Sequence, residues 1–183
     1  MPKTSGLPYL ETRVPLALPV LRLFTSVLHW RSQGLSAAFI ATLWAISVLA
    51  EIALFWGARW FSWIGPVQLM MIGAACGLVR WLAMAFDPAD YWLVPLQLLH
   101  AGTFAATHLG AMQWIAMRVP PAAAGTAQAL LSTFSAGIVM SGVMLVSGAL
   151  YAAASGRAYL AMMAACALGL AAGALLLRLE GRR

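Results

Sequence analysis

Five stretches of the chain run for about twenty residues or more with almost no charge. They are 36–57, 65–86, 91–117, 124–150 and 158–178. A helix needs about 20 mainly apolar residues to cross the hydrocarbon of a bilayer, so each is long enough to span. The breaks between them, "GARWFSWIGP", "DPAD", "RVPPAAAG" and "AASGR", gather Gly, Pro and charge, as turns do. A sixth stretch, 14–30, is apolar in part but contains Pro15, Pro19 and Arg22, and lies at the lower limit of length. The pattern predicts an all-α transmembrane bundle of five clear spanning helices and one borderline one.

Composition agrees. Of 183 residues, 63% are hydrophobic and 9% charged, with a mean hydropathy of +0.87. A soluble domain carries about 25% charged residues, so this chain has too little polar surface to cover a core in water. The net charge of +6 would suit nucleic acid, but the basic residues are scattered singly between apolar runs, with one short group in "RLEGRR". That scatter fits membrane orientation and not phosphate binding. Arg59, Arg118, Arg178, Arg182 and Arg183 fall on one side, Arg31, Arg157, Asp87 and Asp90 on the other. The positive-inside rule puts the first side, with the C-terminus, in the cytoplasm. If 14–30 spans, Lys3 and Arg13 join it. Trp56, Trp60, Trp63, Tyr91, Trp92, Trp114, Tyr151 and Tyr159 lie at span ends, as an interfacial belt would. Cys76 and Cys166 read as small buried hydrophobes, and the N-terminus lacks the pattern of a cleaved signal.

The polar residues at membrane depth carry the chemistry. Glu51, Arg80, His100 and His108 are titratable, and Gln97 and Gln128 add uncharged polarity. A charge at mid-membrane costs about 2.5–3.5 kcal/mol on insertion scales, so such residues turn inward. On the third span Gln97, His100, Thr103, Thr107 and His108 fall within an arc of about 140° on an ideal helix. Two readings stand: each histidine bonds a neighbouring helix, or the face lines a cavity on a substrate or proton pathway. Counting from helix centres at about 1.5 Å per residue puts Glu51 level with His108, and some 15 Å from Arg80. Glu51–His108 is therefore the expected pair, with the components of a proton relay. Arg80 either snorkels toward Asp87 and the headgroups or serves function. Gly73-x3-Gly77, Gly137-x3-Ser141 and Ala165-x3-Gly169-x3-Gly173 offer close helix contact, within one bundle or between copies. No His, Asp, Glu or Cys set has metal spacing and no serine sits in a nucleophile motif, so neither a cofactor nor an enzyme is expected.

At these residues the chain resembles a known family. "HWRSQGLS", "LWAISVLAEIALFW", "CGLVRWLAM" and "LQLLHAGTFAATHLGAMQWIA" are similar to the C-terminal half of major facilitator superfamily transporters. The branch is that of bacterial 3-phenylpropionate:proton symporters, related to the nucleoside:proton symporters. The shared positions are Leu43, Trp44, Glu51, Arg80, Trp81, His100, Gly102, Thr103, Phe104 and His108. The resemblance covers roughly 24–178 and leaves 1–23 as an unrelated segment and 179–183 as a basic tail. It implies the C-terminal six-helix half of a twelve-helix transporter, with solute and protons bound between two halves near mid-membrane. Glu51, His100, His108 and Gln128 would border that cavity, and the helix of Arg80 would be peripheral. A small organic solute such as an aromatic carboxylate is what the resemblance implies for the cargo, and the bacterial inner membrane for the location. The family's N-terminal half has no counterpart, so the chain looks like a truncated half or fragment. It would need a second half or another copy to transport, the alternative being a non-transporting remnant or interaction protein.

Overall fold

The computed structural model describes residues 25–154 and 158–181. Helix α1 is Thr25–Ser32, α2 Ala37–Trp56, α3 Pro66–Met84, α4 Asp90–Ala101 and α5 Thr107–Arg118. Then come α6 Pro121–Ser132, α7 Met140–Ala154 and α8 Tyr159–Glu180. Two wider π-helical segments, Gly102–Ala106 and Thr133–Val139, join α4 to α5 and α6 to α7 into two long rods. A 3₁₀ turn at Ala58–Phe61 follows α2. The described residues contain no strand.

Local sequence accounts for the helix starts. Ser36 caps α2, its hydroxyl accepting from Phe39 N at 3.2 Å. Pro66 and Pro121 take first-turn positions, where a missing N–H removes no helical bond. Between α3 and α4 the chain turns at Asp87, whose φ of +48° is a left-handed value that Asp tolerates better than most residues.

Among the described residues four helical stretches are long and apolar enough to cross a membrane by length and composition: Ala37–Trp56, Pro66–Met84, Pro121–Val143 and Tyr159–Glu180. The third predicted span is helical from Asp90 to Arg118. It is not among those four, and it is the rod that carries the polar face. The borderline stretch 14–30 lies outside the described residues except for the part from Thr25, which begins α1. α8 continues to Glu180, beyond the predicted end at 178, and Arg182 and Arg183 fall outside the described residues.

α3 is the hub. It packs along α8 on one side and along the α4–α5 rod on another, and α2 packs against α4. This corrects the expectation that the helix of Arg80 is peripheral: it has the largest buried share of the four long apolar stretches. The main core lies at the Asp87 end, where Trp30, Leu43, Met84, Leu93 and Tyr159 meet. Tyr159 is thus no belt residue; it is 4% exposed and stacks on Trp81 at 5.5 Å. Trp56, Trp60, Trp63, Tyr91 and Trp92 are exposed, as a belt requires. None of the span Pro121–Val143 is buried.

Small residues make the hub possible. A Cβ on Gly73 would run into Thr107 Oγ1 and come within 3.1 Å of the Thr107 backbone N; one on Gly77 would meet Cys166 Sγ at 2.7 Å. Gly173 approaches Met71 in the same way. These motifs pack helices within the bundle, while around Gly137 nothing lies within 4 Å. Gly73→Ala should therefore cost about 1–3 kcal/mol through overpacking against backbone. Gly137→Ala should be neutral or gain up to about 1 kcal/mol from helix propensity. Unfolding in mixed detergent–SDS micelles measures both, and equal effects would contradict this packing.

Candidate functional site

Glu51 and His100 meet between α2 and α4, with Glu51 Oε1 3.2 Å from His100 Nε2. Their side chains are 18% and 30% exposed, so the pair is partly sheltered and still reachable. His108 does not pair with Glu51. It packs edge-on against Phe55 at 5.9 Å and stacks with Phe104 at 6.1 Å.

The expected Glu51–His108 pairing fails for two physical reasons. Alignment by helix centres is wrong, because the α4–α5 rod is nine residues longer than α2. Contacts from Gln97 to Leu43 and from His108 to Phe55 put the starts of the two helices level, and the rod overruns at its far end. Second, a π turn holds one residue more than an α turn, which sets all later positions back by about 100°. His108 thereby comes round under His100, both against α2. Thr103 and Thr107 turn to the Gly73–Gly77 side of α3. Their hydroxyls bond back to Leu99 O at 3.1 Å and Thr103 O at 2.7 Å. The ideal-helix wheel merged two faces into one.

Arg80 does not snorkel. It is 5% exposed, donates from Nη2 to Gln97 Oε1 at 3.0 Å, and lies 4.3 Å over the ring of Trp81. Gln97 in turn donates to Leu43 O at 3.4 Å, so its amide ties α2, α3 and α4 together. Asp87, the partner suggested for Arg80, takes His29 instead, at 2.6 Å. The sequence signal for Arg80–Gln97 was present in two polar residues on successive spans, but only the helix-crossing register pairs them. Gln128, on α6, is exposed and stays apart from this cluster.

Below the ionic pair the site turns aromatic. Phe55 follows Glu51 by one helical turn on α2, and Phe104 and His108 follow His100 on the rod, with Phe55 and Phe104 exposed. A layer of titratable groups therefore sits about 5.4 Å, one turn, from a layer of ring faces. At the far end of the rod Arg118 pairs with Glu180 and lies over Trp114. There Gly65, Gln68, Trp114, Met117 and Leu177 help line a cavity of about 250 Å³, away from the Glu51 site. Among the described residues no group of three or more His, Cys, Asp or Glu is placed to hold a metal ion.

Residues 18–161 match the model of the MFS_1 like family. Over 94 residues, 51% of this chain and 25% of the relative, the sequence is 38% identical to the "Probable 3-phenylpropionic acid transporter" of Escherichia coli (strain K12). The chain thus aligns with about a quarter of that protein's length. No solved structure matches it.

Proposed function

From the premise that this chain belongs to the MFS_1-like family of major facilitator transporters, we propose that it forms one half of a proton-coupled carrier for a small organic solute. The observation that carries this reading is the Glu51–His100 contact at membrane depth, partly sheltered and one turn from an exposed aromatic layer. An ionisable pair in a span is costly unless it serves a pathway. A carboxylate and an imidazole in contact can hold or release a proton as their surroundings change. The aromatic layer suits a solute with a ring about one turn from its polar head, such as an aromatic carboxylate. The Escherichia coli relative, a probable 3-phenylpropionic acid transporter, supports the same class.

Rocking transport needs two walls around the solute. The open side of the Glu51–His100 site and the unburied Pro121–Val143 span are surfaces that a second half, or another copy, would cover. His108, Thr103, Thr107 and Gln128 then serve as lining and packing positions around the path. The bacterial inner membrane, with the arginine-rich ends in the cytoplasm, is the setting that suits such a carrier. A helix-packing role without transport is the second reading, favoured by the unburied Pro121–Val143 span.

The test is uptake of labelled 3-phenylpropionate into proteoliposomes holding the chain, alone or with a partner half. An inward proton gradient should drive accumulation and a protonophore should collapse it. Phe104→Ala should weaken half-saturation by about tenfold, the loss of one aromatic contact of roughly 1 kcal/mol or more. No accumulation in any pairing would favour the packing role.

A further inference from the structure

The cavity at the far end of the rod lies away from Glu51 and His100, and no step of the proposed transport uses it. It opens between the start of α3, the end of α5 and the end of α8, so three span ends meet there at one membrane face. Its volume is about 250 Å³. Pockets that enclose a drug-sized molecule hold about 300–1,000 Å³, so this one suits a headgroup-sized occupant. Val67, Met117 and Leu177 give it an apolar side, and Met117 is exposed, which leads that side out toward the acyl chains. Trp114 lies one turn inward from Arg118, and tryptophan favours headgroup level. Among the described residues the lining carries two charges of opposite sign, Arg118 and Glu180, which pair with each other. Their side chains are 52% and 35% exposed, and an ion pair that open adds little to stability. A ligand can therefore take both charges without a large loss.

We propose that this cavity seats a phospholipid headgroup that bears both charges, with its phosphate on Arg118 and its primary ammonium on Glu180, as a phosphatidylethanolamine would. A guanidinium presents N–H pairs that match phosphate oxygens two at a time. Stacking on Trp114, with Arg118 Cζ 4.4 Å from the ring centre, holds the guanidinium plane. The start of α3 adds to the attraction. Gly65 offers no capping side chain and Pro66 no N–H, so the N–H groups of Val67 and Gln68 lack a helical partner. A helix start of this kind favours a negative group. The ammonium brings three N–H donors to the Glu180 carboxylate. One ion pair is thereby exchanged for two, and the lipid ties the ends of α3, α5 and α8 together.

The same two charges discriminate against other headgroups. An anionic headgroup without an amine satisfies Arg118 but leaves its charge beside the Glu180 carboxylate. A choline headgroup has the right charges, but its trimethylated nitrogen has no N–H to give. The free headgroup lacks the tails that the apolar side receives, and so forfeits their burial. The site stands whether or not the chain transports.

The experiment titrates the purified full chain in detergent micelles with short-chain phosphatidylethanolamine, phosphatidylcholine and phosphatidylglycerol, and with O-phosphoethanolamine as the headgroup without tails. Isothermal calorimetry reads each affinity. Phosphatidylethanolamine should bind at least about tenfold tighter than each of the other three. Glu180→Gln should bring it down to the level of phosphatidylcholine, and Arg118→Gln should weaken all three lipids by about tenfold. Equal binding of the three lipids by the unmodified chain overturns the proposal and leaves Arg118 and Glu180 as a clamp between α5 and α8. That result needs no variant to fold. Tighter binding of phosphatidylglycerol overturns it in favour of a merely basic interface. O-phosphoethanolamine bound as tightly as the lipid overturns it in favour of a soluble zwitterion. A folded Glu180→Gln protein that keeps the preference for the amine overturns it as well.

Discussion

Glu51→Gln should abolish proton-driven uptake in an assembly that transports, while the fold persists. The amide is nearly isosteric and keeps an oxygen where the carboxylate now places one, 3.2 Å from His100 Nε2. What disappears is the negative charge. With glutamine in place, the pair has lost the carboxylate that can take up and release a proton, and proton-coupled cycles become rare with it. Accumulation driven by a pH gradient should fall by about tenfold to a thousandfold. Glu51→Asp should keep part of the activity. Initial rates with and without an imposed gradient measure this, and a Glu51→Gln protein that still concentrates solute with protons would remove Glu51 from the pathway.

The largest stability effect is expected at Gln97. An ordinary hydrogen bond between helices in lipid is worth only about 0.6 kcal/mol on average. Gln97 is different because its partner is a buried cation, and because the same amide also ties α4 to the α2 backbone at Leu43. Gln97→Leu would leave the Arg80 guanidinium, 5% exposed and stacked on Trp81, without the acceptor that Gln97 Oε1 supplies. Hydrogen bonds to charged groups are worth about 1.5–3 kcal/mol, and stripping a buried charge of its partner can cost about 3–5 kcal/mol. The expected loss is about 2–4 kcal/mol. Adding Arg80→Met to Gln97→Leu should recover much of it, since two apolar side chains in contact leave no charge stranded. A double-mutant cycle by SDS-induced unfolding reads the coupling. A strictly additive pair would show that Arg80 and Gln97 do not depend on each other.

Much of this protein was legible in one dimension. The lengths of the apolar runs, the Gly- and Pro-marked breaks and the shortage of charge established a helical membrane bundle. Each depends only on local chain properties and on the thickness of a bilayer. Glu51, Arg80, Gln97, His100 and His108 stood out for the same reason, because polar groups at depth are costly wherever they occur. The glycine spacings announced close helix contact, and Gly73, Gly77 and Gly173 do make it within the bundle.

Partner choice was not legible. Whether Glu51 takes His100 or His108 depends on the relative slide of two helices of unequal length and on a π segment at Gly102–Ala106, and neither leaves a periodic trace. The burial of Arg80 depended on α3 lying at the hub, which follows from how Gly73 and Gly77 let the rod and α8 approach from two sides. Tyr159 left the interfacial belt because Trp81 and His29 were there to receive it. The linear order of residues determined which solvent this chain folds in and which few groups must hide from it. Only the packed helices decided which of those groups touch, because contact is fixed by axial register and rotation, and both are properties of pairs of helices.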